Sequence, residues 1–213
     1  SSDLDNRQDA ALQAGHFNDF LFLLLLRAGL LGGLRSNGGV LTEETLPDAV
    51  FNALGFSRND PGNLAEYLRD PELLGLALKE AQKALRFVLG YRLLHDLRKG
   101  WRYNNPNLDQ LRLLKVGYEG LDEFANHSQS FSGNPFLARI RPEERAEMAR
   151  IIFAEMAKNL CIESRFLNAQ EQEANKGRAF NYLNERWTFG QDERLATTHY
   201  LLLDKRPDGN GKK

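Results

Sequence analysis

Few residues in this chain have the types and spacing that chemistry requires. The four histidines, His16, His95, His127 and His199, are isolated: none has a second ligand one helical turn away, and no His-Glu-x-x-His occurs. That spacing offers no metal site. Cys161 is the single cysteine, which excludes an internal disulfide and a zinc held by thiolates. It sits in the apolar-periodic run 151–162 without a polar neighbour to hold a thiolate, so it is predicted to be a buried packing residue in a reducing compartment. Gly29, Gly32 and Gly33 precede no Lys-Ser/Thr pair, so they form no phosphate-cradling loop and read as loop glycines. No Gly-x-Ser-x-Gly elbow is present. The carboxylate pairs Glu143-Glu144 and Glu171-Glu173 fall in helical turns, where the helix dipole and solvation account for them. No catalytic residue, metal or cofactor is predicted within the chain.

A basic, aromatic corner remains. Trp101, Arg102 and Tyr103 follow a predicted helix C-terminus, where unpaired carbonyls tolerate cations, and Arg98, Lys99, Arg112 and Lys115 are near in sequence. Cations of this kind neutralise phosphates, and rings beside them stack on bases. Over residues 79–115 there are nine basic side chains (Lys79, Lys83, Arg86, Arg92, Arg98, Lys99, Arg102, Arg112, Lys115) against three acidic ones (Glu80, Asp96, Asp109), in a chain whose net charge is −1. The net charge excludes a globally basic nucleic-acid binder but leaves room for such a patch. Two other readings compete with it. The charges could be the solvated flanks of a buried helix, and Trp101 could be a core plug at a helix–loop junction.

The elements that must position this corner are helical. At 213 residues and 42% apolar content the chain can bury one sizeable core or two small ones. Residues 1–14 are polar and predicted to fray. From 15 to 31 apolar residues lie on all sides of a helical wheel, which predicts a core helix surrounded by protein. The apolar window 20–26 is too short to cross a membrane, and no signal peptide is read. Thr42 is a predicted cap for a helix over 43–54, and the turn-rich segment 57–63 is the candidate subdomain boundary. Asp70-Pro71 predicts the start of a long helix reaching Lys99, with Gly75 and Gly90 as weak points. Asn105-Pro106 repeats that signal for a helix through Leu108, Leu111 and Leu114.

Residues 115–119 alternate like a short strand or wing, and 121–126 read as a brief helix. Further helices are predicted from Pro142 to about Leu160, from Phe166 to Trp187 (anchored by Phe180, Leu183 and Trp187) and from Asp192 to Leu203. The fold class is therefore all-α, a helical bundle with at most one small hairpin or wing near 115–119. Its parts are a flexible segment 1–14, an N-terminal helical subdomain 15–56, a main helical domain 70–204 and a tail 205–213. A serine at position 1 and the polar end at 208–213 suggest an excised piece of a longer protein.

The segment Leu97-Arg98-Lys99-Gly100-Trp101-Arg102, followed by Pro106-Asn107-Leu108-Asp109-Gln110, Leu113-Leu114, Tyr118-Glu119-Gly120-Leu121 and Glu123, resembles a stretch of large prokaryotic DEAD/DEAH-box helicases of superfamily 2. The helical stretch 142–162 and Trp187 with Asp192-Glu193 fit the same region, so the resemblance spans about residues 70–200. It implies a cytoplasmic parent that couples ATP hydrolysis, with magnesium, to movement along nucleic acid, most simply DNA. This piece would be a helical accessory region outside the motor. Motor motifs and the four zinc-binding cysteines of many such proteins are missing here, so no catalytic residue carries over.

Two functions follow as expectations. One is nucleic-acid contact through Arg98, Lys99, Arg102, Arg112 and Lys115, with Trp101 or Tyr103 stacking. The other is a protein–protein scaffold docking onto the motor domains of the same parent or onto a partner subunit. A free-standing winged-helix regulator is a third, resting only on the helix-turn-helix-wing order of 85–119.

Overall fold

A computed structural model describes residues 2–99, 108 and 114–199, with side chains from 17 to 97, at 108 and from 114 to 199. Among the described residues the chain is all-α: seven α-helices, three short 3-10 turns and one isolated backbone bridge, Leu68 to Leu183. The expected wing at 115–119 is irregular chain. Its alternation is too short to form a ladder, and no second strand lies beside it among the described residues. The chain divides into two compact units, Ser1–Lys115 with Ser164–Ala196, and Val116–Glu163 with Thr197–Lys213.

The first unit is built on α4 (Gly75–Lys99). Ala84, Leu85, Phe87, Val88, Leu89, Tyr91 and Leu93 are all buried, and a helix apolar all round must be surrounded by protein. The sequence pattern had placed that role on α1 (Ser2–Ser36) instead. In α1 only one side is covered: Phe22, Leu23, Leu26 and Leu30 are buried, while Phe17, Phe20, Leu24 and Leu25 face outward. The helix also runs back through residues 2–14, expected to fray. Once nucleated, a helix extends at little cost per residue. Phe17–Ser36 is long and apolar enough, by length and composition, to cross a bilayer. Here its Leu26 and Leu30 enter the core of the first unit.

Gly29, Gly32 and Gly33 lie inside α1 rather than in a loop. A Cβ on Gly33 would come 3.1 Å from the Ala49 backbone, and one on Gly32 would come 3.1 Å from Ala53 Cβ. The missing side chains therefore let α2 (Leu46–Ala53) lie close against α1. The start of α2 also differs from expectation. Thr42 and Thr45 form a hydroxyl-closed turn, with the Thr42 amide donating to Thr45 Oγ1 at 2.9 Å, and the helix begins three residues later than Thr42 predicts.

The segment 57–63, the expected boundary, runs into α3 (Pro61–Tyr67) within this same unit. Asp60 caps α3 by accepting from the Asn63 amide at 3.1 Å, a bond that lowers its carboxyl pKa. Asp70-Pro71 makes a turn, closed by the Glu72 amide on Asp70 Oδ1 at 3.0 Å. Helix α4 then starts at Gly75, whose φ of +59° suits glycine.

Helix α7 (Ala169–Tyr182) is capped by Asn168, whose Oδ1 accepts from the amides of Gln170 and Glu171 at 3.0 and 3.1 Å. After it, Trp187 is fully buried, edge-on to Phe22 and Phe56 at 5.3 and 5.0 Å, and donates its indole N–H to Glu66 at 3.1 Å. Of the three expected anchors Leu183 and Trp187 are buried. Phe180 is exposed, with the Arg69 guanidinium 4.9 Å above its ring. No helix forms over the described part of 192–203. Residue 192 lies in a turn and residues 193–199 have no regular secondary structure, with the Ala196 amide held by the Tyr91 hydroxyl at 2.9 Å.

The second unit has α5 (Leu121–Asn126), a 3-10 turn at Ser128–Phe131 and α6 (Pro142–Lys158). Its buried apolar residues are Leu121, Ala125, Phe131, Ala146 and Leu160. Arg145 is buried among them. Its Nε donates to the Leu137 carbonyl and Nη1 to the Ala125 carbonyl, both at 2.9 Å, and its guanidinium lies 4.6 Å from the Phe131 ring centroid.

Candidate functional site

Six of the seven residues expected at the basic corner have no described side chain. Arg98 and Lys99 are the last residues of α4, and Trp101, Arg102, Tyr103 and Arg112 lie outside the described residues. So does most of the predicted helix through Leu108, Leu111 and Leu114. Its two described points are informative: Leu108 is buried in the core of the first unit, and Leu114 packs partly buried against the same core. Lys115, next in the chain, is exposed.

Two described cations of α4, Arg86 and Arg92, have carboxylate partners. Arg86 donates to Asp48, and its guanidinium lies 3.9 Å above the Phe51 ring. Arg92 grips Glu193 with two hydrogen bonds, the longer 2.8 Å, and sits 5.2 Å from the Phe189 ring centroid. Burial alone would raise the Glu193 carboxyl pKa. The Arg92 hydrogen bonds and charge, the Gly190 amide and the charge of His95 outweigh it and hold the carboxyl below its ordinary value. The acids of α4 are matched in the same way. Asp96, fully buried, takes two hydrogen bonds of 2.9 Å from Arg27, and Glu80 pairs with Arg178 at 2.7 Å.

These four pairs redistribute the charge of 79–115. Removing Arg86, Arg92, Glu80 and Asp96 with their partners leaves seven basic residues against one acidic. The excess is unchanged in size but withdrawn from the middle of α4 to Lys79, Lys83 and the stretch 98–115. No local pattern signals these pairings, because the partners lie 38, 69 and 101 residues away for Arg86, Asp96 and Arg92.

Two apolar features were not read from the sequence. The first is the uncovered row on α1, where Phe17, Phe20 and Leu24 are 61%, 49% and 47% exposed. The second is in the second unit, a shallow cleft of 310 Å³ lined by Tyr118, Phe153, Met156, Cys161, Ile162 and Glu163. Cys161 is thus half-buried at a cleft wall rather than enclosed. Leu160 adopts the left-handed conformation, with φ of 56°, and the Cys161 amide closes the helix end on the Met156 carbonyl at 2.8 Å. That turn sends Leu160 into the core.

His127 Nδ1 shares a hydrogen bond of 2.8 Å with the Ser130 hydroxyl, and the His199 amide donates to the Leu160 carbonyl at 2.8 Å. Among the described residues no three His, Cys, Asp or Glu side chains gather as a metal site would need. A scan against family models, a search of curated proteins and a search of solved structures each return no match.

Proposed function

We propose that this chain is a helical accessory module that works by docking onto protein, with the motor domains of a helicase-like parent as the partner that the sequence resemblance suggests. The supporting observation is the apolar row of α1. A helix that already buries Leu26 and Leu30 on one side gains nothing by presenting Phe17, Phe20 and Leu24 to water on the other. Large exposed apolar patches are characteristic of surfaces that meet another macromolecule. The ion pairs of α4 favour the same reading, since Arg86 and Arg92 stabilise the fold and are not presented to a ligand.

A second reading, contact with DNA, is favoured by one observation: the remaining basic excess gathers toward 98–115, where Lys115 is exposed. The two are separated by fluorescence anisotropy with single-stranded and duplex DNA at two salt concentrations. Docking predicts no binding at low salt. Binding that weakens steeply as salt rises, and is abolished by Arg98→Glu with Arg102→Glu, would replace docking with nucleic-acid contact.

A further inference from the structure

We propose that Asn37 is a self-modification site, where the Gly38 backbone nitrogen attacks the side chain and the side-chain amide is lost as ammonia. Asn37-Gly38-Gly39 follows the end of α1 at Ser36. Asparagine loses its amide in this way where the following backbone nitrogen can approach the side-chain carbonyl carbon, and glycine hinders that approach least because it lacks a Cβ. Residues 35–40 are all exposed, so water and base reach the turn. Gly38 has φ of +67°, and nothing lies within 4 Å of the place a Cβ would take. The hydrogen bonds of the turn also leave the nucleophile out. The Asn37 and Gly39 amides both donate to the Leu34 carbonyl, at 3.2 and 2.8 Å, and the Val40 amide reaches the Asn37 carbonyl at 3.5 Å. A helix end closed in the full Schellman manner would also draw the Gly38 amide onto the Arg35 carbonyl. That bond is not made, and among the described residues the Gly38 amide donates to no acceptor.

The step needs only base and water. Base takes the Gly38 amide proton, the nitrogen bonds to Asn37 Cγ, and the Cγ–Nδ2 bond breaks as that nitrogen takes a proton from water and leaves as ammonia. A cyclic imide then joins residues 37 and 38. Water opens it at either carbonyl, which leaves an aspartate at 37 or an isoaspartate whose main chain runs through the former side chain.

The amide that leaves is in structural use. Asn37 Nδ2 donates to the Gly33 carbonyl at 2.7 Å and so satisfies one of the last carbonyls of α1. Gly33 is the residue whose missing side chain lets the Ala49 backbone of α2 come close. Bonds at an exposed helix end open at little cost, which frees the side chain to react. A carboxylate can only accept, so both products set oxygen against oxygen at Gly33 and add negative charge at the negative end of the helix dipole. Isoaspartate also lengthens the main chain between Leu34 and Gly39, which are bonded across the turn. The modification therefore loosens the end of α1 where α2 packs on it.

The test uses the whole chain carrying Asn210→Gln, which removes the other Asn-Gly pair of the sequence. The protein is aged in mildly alkaline buffer, natively and in urea, then digested for mass spectrometry with an assay for isoaspartate. Asn37 is expected to convert in the native chain at a rate within about tenfold of that in urea, because a fraying helix end opens at almost no cost. Isoaspartate should be among the products, and the other described asparagines should lag behind. The aged, more acidic form is then separated by ion exchange and unfolded in urea. Its unfolding constant should rise by about three- to tenfold, from the lost donor and the added charge. Asn37→Asp, made directly, should reproduce much of that rise.

Conversion confined to the urea sample overturns the proposal, and so does a mass gain at Asn37 without isoaspartate. Unchanged stability in both the aged form and Asn37→Asp would overturn the loosening of α1 against α2.

Discussion

Single residues carry two of the more unusual features of this chain. Arg145 holds a positive charge inside the second unit, and its described hydrogen-bond acceptors are the carbonyl oxygens of Ala125 in α5 and of Leu137 and Ala138 in the loop before α6. Hydrogen bonds from a charged donor contribute about 1.5–3 kcal/mol each, and a leucine cannot replace them. Arg145→Leu is expected to destabilise the second unit by about 2–4 kcal/mol, since buried acceptors lose their donor. Hydrogen exchange should then speed up in α5 and residues 131–138 while α4 stays protected. Uniform exchange across both units would show that Arg145 has no such local role.

Glu193 gives the second residue-scale prediction. Its carboxyl is held below the ordinary glutamate value in the folded chain. It therefore contributes stability above the unfolded pKa of about 4.3, and that contribution is lost as pH falls through the lower folded value. Glu193→Gln should cost about 1–3 kcal/mol at neutral pH. Its stability should also fall less steeply than that of the parent on acidification, as followed by urea titration at several pH values. A parallel acid limb in both proteins would contradict this.

At the scale of elements, Gly90 shows how packing overrides local preference. Glycine inside a helix is unfavourable by about 1 kcal/mol against alanine, so local reasoning marks it as a weak point and predicts that Gly90→Ala stabilises α4. The structure predicts the reverse, because a methyl group there would overlap the ring of Phe166. Overpacking of this kind costs about 1–3 kcal/mol. Thermal denaturation decides: a raised melting temperature would favour propensity, and a lowered one the Gly90–Phe166 contact. Glu43 illustrates a related reassignment. The first residue of the helix predicted over 43–54, it instead accepts from the Ser164 hydroxyl and the Arg165 amide, both at 3.0 Å, and so caps a turn more than a hundred residues away.

For the molecule as a whole, the exposed row of α1 makes the test. Phe20→Ser with Leu24→Ser should change stability by no more than about 0.5 kcal/mol, as for surface substitutions outside the core. It should also remove any association through α1. A loss of several kcal/mol in urea titration would show that these side chains are covered within the folded chain.

Much of the fold was legible in advance. The all-α class, α5, the start of α6 at Pro142 and the burial of Leu183 and Trp187 follow from periodicity, proline placement and apolar content, which act over a few residues. The sequence alone could not say which apolar helix lies inside, which glycines are contact surfaces, or which charges are paired. Arg27 with Asp96 and Arg92 with Glu193 join residues far apart in the chain. The interior position of α4, the exposure of one face of α1 and the pairing of these charges exist only once those distant residues are brought together.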